Sequence, residues 1–91
     1  MGFHDFAEIR KANEAIGHFW FEHDPQRGHR IETPLLDGRY WIESQWADFD
    51  ESSRCYQLVE VSTDGSIKYL LDARRFEGID EARAELNAIL G

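Results

Sequence analysis

Arg54-Cys55-Tyr56-Gln57-Leu58-Val59-Glu60-Val61-Ser62, then Thr63-Asp64-Gly65-Ser66, then Ile67-Lys68-Tyr69-Leu70-Leu71-Asp72, is the stretch that decides the fold. Val59 and Val61 alternate with Leu58 and Glu60, and Ile67, Tyr69 and Leu71 share one face of the second run, as a period of two requires. Asp-Gly between two such runs is a hairpin turn. An antiparallel sheet therefore forms the centre of the chain. Upstream, Asp37-Gly38 is a second turn signal. Residues 39–46 follow it as a strand, with Tyr40, Ile42 and Ser44 on one face and Trp41, Glu43 and Gln45 on the other. Residues 29–36 give a less regular strand that Pro34 confines to an edge or ends early. Between the strands, residues 47–53 carry Asp48, Asp50 and Glu51 with two serines and read as a solvated acidic loop.

A helix is predicted at each end. Residues 5–16 place Phe6, Ile9, Asn13 and Ile16 at three- and four-residue steps, with Ala12 widening the stripe. Asp5 is the N-cap, Glu8 completes an Asp version of the capping box, and Gly17 ends the helix. Asn13 lies inside the apolar stripe, which predicts a partly buried, hydrogen-bonded amide that ties the helix to a strand edge. Near the other end, Asp80 caps a helix through Leu90. Its inward stripe is Ala82, Leu86, Ile89 and Leu90, with Ile79 as a staple. Gly17-His18-Phe19-Trp20-Phe21 switches to a period of two and concentrates aromatic packing, with Phe19 and Phe21 inward. Asp24-Pro25-Gln26-Arg27-Gly28 turns the chain. The expected architecture is one α+β domain over residues 1–91. It has an antiparallel sheet of three to five strands, with the N-terminal and C-terminal helices packed on one face.

Composition narrows the function. Eighteen acidic against ten basic side chains give a formal charge of −8, which disfavours nonspecific attraction to nucleic acid or anionic lipid and favours a basic partner surface. No run approaches the roughly 18 apolar residues of a membrane helix. Residues 1–5 lack a basic segment leading into an apolar one, so no secretory leader is expected. Cys55 is the single cysteine, compatible with a reducing cytoplasm.

Three chemistries compete. His4, His18, His23 and His29 lie near Asp5, Glu22 and Asp24, and a small metal protein or enzyme centred on His18, His23 and His29 is one reading. Their spacing fits no familiar ligand pattern, so no metal, cofactor or catalytic residue is assigned. A stacking platform for single-stranded nucleic acid could be built from Trp20, Trp41, Trp46, Tyr40 and Tyr56. Such platforms are flanked by basic residues, and here only Arg27, Arg30, Arg39 and Arg54 could gather beside it. The third reading is protein recognition: Trp20 and Trp41 as aromatic anchors on a helix-free sheet face, rimmed by charge, with Trp46 as a further aromatic contact. Within it, Asp48, Asp50 and Glu51, with Glu43 and Glu60, stand in for a row of phosphates in a basic groove. The same aromatic patch could close a homodimer.

The run Ile9-Arg10-Lys11-Ala12-Asn13, continued through Gly17-His18-Phe19-Trp20-Phe21 and Gly38-Arg39-Tyr40-Trp41-Ile42-Glu43-Ser44, resembles a group of small uncharacterised proteins encoded by phages and mobile elements. The likeness covers roughly the first half of the chain and carries no catalytic residue with it. It implies a context in which small acidic proteins inhibit host defence, anti-CRISPR proteins among them, by occluding a surface on a larger complex. The sequence thus favours a cytoplasmic, non-enzymatic module that binds a larger protein or ribonucleoprotein. Trp20, Trp41, Trp46, Glu43, Asp48, Asp50 and Glu51 are its partner-binding residues.

Overall fold

The computed structural model describes residues 2–18, 28–47 and 50–91, with side chains for all but residues 50–52. The element order is α1 (Phe6–Ala15), β1 (Arg30–Ile31), β2 (Tyr40–Ala47), β3 (Asp50–Val61), β4 (Ile67–Tyr69), α2 (Leu70–Ala73) and α3 (Ile79–Leu90). The four strands form one antiparallel sheet in the order β1-β2-β3-β4. This is the α+β arrangement expected, an antiparallel sheet with a helix toward each end of the chain. The aromatic run at residues 19–21 and most of the turn after it lie outside the described residues.

Helix α1 starts and stops on local signals. The Asp5 carboxylate accepts the Glu8 backbone N–H at 2.9 Å. Glu8 reaches one residue further back than a capping box requires, accepting the His4 N–H at 2.7 Å. At the other end, Gly17 N–H donates to Glu14 and His18 N–H to Asn13, the paired bonds of a Schellman motif, with Gly17 at φ +79°. Asn13 is buried, and its amide donates to the Gly65 carbonyl at 2.8 Å, which ties α1 to the β3–β4 turn. Gly65 is required there. Its φ is +98°, and an added Cβ would stand 2.6 Å from the Ala12 carbonyl carbon.

Leu36 and Tyr40 exchange backbone hydrogen bonds around residues 37–39, with Asp37 and Gly38 both at positive φ, so the Asp-Gly turn forms, but as a three-residue loop that includes Arg39 rather than a two-residue one. Strand β1 is short. After Ile31, the Glu32 N–H still donates to Ile42, but the Ile42 N–H is taken by the Thr33 hydroxyl just before Pro34, which has no N–H to give. Strand β3 is longer than expected. It begins at Asp50, so much of the supposed acidic loop is strand. Trp46 pairs with Arg54 but the next residue, Ala47, pairs with Asp50, so Glu51, Ser52 and Ser53 form a bulge between them.

The placement of the helices differs from expectation. Adjacent residues of β2 point to opposite faces. Trp41 packs with Val59, Val61 and Ile9 of α1, and the Phe6 ring meets Trp41 edge-on at 5.4 Å. Ile42 and Leu58 pack instead with Phe76 and with Ala82 and Leu86 of α3. The helices therefore cover opposite faces, and the expectation of both on one face is corrected. The crossing segment shows how. Strand β4 ends at Tyr69, and Leu71, Asp72 and Ala73 all take φ between 55° and 59°, a left-handed turn. The strand was expected to run on to Asp72 with Leu71 on the face of Ile67 and Tyr69, yet it ends at Tyr69 and Leu71 is 45% exposed. Phe76 then bridges to Tyr56 and carries the chain beneath the second face. Helix α3 starts earlier than expected: Gly78 is its N-cap with no side-chain cap bond, so Asp80 is not the cap and lies with Glu81 in the first turn, where a negative charge suits the helix dipole. Only the first half of its expected stripe is inside: Ile89 and Leu90 are 42% and 38% exposed.

Candidate functional site

The expected site residues separate into an interior group and one end of a hairpin. Trp41 and Glu43 stand two apart on β2 and share the α1 face. Trp41 is fully buried and Glu43 is 1% exposed. The correction follows from the helix placement: the face assumed to be helix-free is covered by α1, so neither side chain is available as a surface anchor. Glu43 is instead the centre of a buried polar cluster. One of its oxygens accepts from His29 Nε2 at 2.8 Å and from the Tyr69 hydroxyl at 2.9 Å. The other accepts from Trp41 Nε1 at 2.8 Å. Three donors suit a group whose ionised form only accepts. Burial raises the Tyr69 phenol far above its ordinary range and the neighbouring Glu43 charge raises it further, so Tyr69 stays a donor.

On the opposite face, Arg54 donates to the Gly28 carbonyl at 2.6 Å and to the Ser44 hydroxyl at 2.9 Å, and Ser44 donates to Glu32 at 2.5 Å. Trp46, half-buried, lies against Gly28, where an added Cβ would stand 2.3 Å from the indole. These contacts fix the base of the hairpin end. Beyond them Ala47 pairs with Asp50. Trp20 and Asp48 lie outside the described residues, and Asp50 and Glu51 are described by backbone alone.

The competing chemistries find less support. His29 serves Glu43, His4 is exposed beside Glu8 at 3.2 Å, His18 is exposed at the end of α1, and His23 lies outside the described residues. Among the described residues, no group of three or more His, Cys, Asp or Glu could hold a metal ion. Cys55 is buried. Two clefts of about 260 and 210 Å³ are lined, among the described residues, without histidine, cysteine or carboxylate. Of the arginines expected beside a stacking platform, Arg27 lies outside the described residues and the other three are otherwise engaged. Arg39 pairs with Glu60 at 2.7 Å, Arg30 lies 3.6 Å from Glu32, and Arg54 is held as above. Both central strands are covered where Trp41 and Ile42 lie, so they offer bases no open face there.

Sequence reasoning missed His29 and Tyr69 as partners of Glu43. They are 14 and 26 residues from it, and only the sheet brings them together. A signal was present in β2, where large apolar residues at both Trp41 and Ile42 mark a strand buried on both faces. A glutamate in such a strand needs internal partners.

No protein-family model, curated protein or solved structure matches the chain. What the fold defines is a class, an acidic α+β domain with one helix on each face of a four-stranded sheet. No helix among the described residues is long and apolar enough to cross a membrane.

Proposed function

We propose that this chain is a non-enzymatic protein-binding module of the kind mobile elements use to inhibit host defence complexes. In this reading it works in the cytoplasm and lays the acidic end of the β2–β3 hairpin into a basic, nucleic-acid-binding groove of a larger protein or ribonucleoprotein. The observation that carries the reading is the register at that end. With Ala47 opposite Asp50, Asp50 and Glu51 stand at the end of the longest hairpin in the sheet, set on a base held by Arg54 and Trp46. A net charge of −8 steers such an end toward a positive groove over about a Debye length, roughly 8–10 Å at physiological salt. Trp41 and Glu43 contribute from inside, by stiffening the sheet that presents the hairpin.

The test uses the protein and its Asp48→Lys/Asp50→Lys/Glu51→Lys variant as paired baits in host lysate at low salt. The expected result is a nucleic-acid-binding protein retained by the first and lost by the second, released by competing duplex DNA or RNA and by rising salt. An identical retained set for both baits would overturn the proposal.

A further inference from the structure

We draw no further inference here: the strongest candidate, the buried side-chain cluster of His29, Trp41, Glu43 and Tyr69 on the α1 face of the sheet, belongs to the site already described.

Discussion

Glu43 shows how a residue's role is set by where its strand is buried. As a surface carboxylate it would be worth little to stability; inside, with three donors aimed at it, its removal strands those donors. Glu43→Ala is therefore expected to cost on the order of 3–5 kcal/mol in urea unfolding, as when one partner of a buried pair is deleted. Glu43→Gln, which keeps the volume and one good acceptor, should cost less. A loss below about 0.5 kcal/mol for the alanine variant, the range of ordinary surface substitutions, would show that the cluster is not a structural anchor. Asn13 makes a parallel case. Asn13→Ala removes the bond to Gly65 and is expected to cost about 1–2 kcal/mol, and Gly65→Ala should also destabilise through its positive φ and the contact with Ala12. Because both loosen the same junction, a double-mutant cycle should show clear non-additivity, and strict additivity would separate them. Of these roles, the buried amide of Asn13 was legible, because its place in the apolar stripe is a local pattern. The role of Glu43 was not, since its donors come from three separate segments.

Elements that carry their own start and stop signals were readable. The Asp5 cap, the Schellman close at Gly17 and the Asp-Gly turns are all satisfied within a few residues, so no distant contact is needed to place them. Hydrogen bonds from the His4 backbone, then its ring, hold the Glu8 carboxyl below its ordinary 4.5. A depressed folded-state value favours the helix above that ordinary value and loses the contribution as pH falls through the lowered one. A side-chain NMR titration is expected to place the Glu8 midpoint under 4.5, and an unshifted midpoint would mean the N-terminal hydrogen bonds are not kept in solution. The face taken by α3 was not readable. An amphipathic helix specifies that one side must be covered, not which side of a sheet will cover it. That choice was made by the left-handed turn at residues 71–73, whose conformation costs non-glycine residues about 1–2 kcal/mol each and which no local sequence signal announced. Leu86→Ala on the Ile42–Leu58 face should cost about 2–5 kcal/mol, whereas Leu90→Ala should cost far less. Equal losses would restore the longer inward stripe read from the sequence.

For the whole molecule, the excess of eight negative charges works against compaction, and the ion pairs among described residues are few and mostly at the surface. Raising ionic strength from about 10 mM to 150 mM shortens the screening length from roughly 30 Å to 8 Å. The urea midpoint of the isolated protein is therefore expected to rise with salt, while binding to a basic partner falls. A midpoint that falls with salt would mean that specific ion pairs outweigh the general repulsion.

The sequence alone determined the first helix with its cap and close, the two Asp-Gly turns, the central strands and the net charge, because periodicity, capping and net charge are local or additive properties of the chain. Tertiary structure alone decided that the two helices take opposite faces, that Trp41 and Glu43 are interior, and that β3 begins at Asp50 with a bulge against β2. Each of these depends on which distant segments share a face of the sheet, and a period of two tells a residue only that it has a side, never what lies against it.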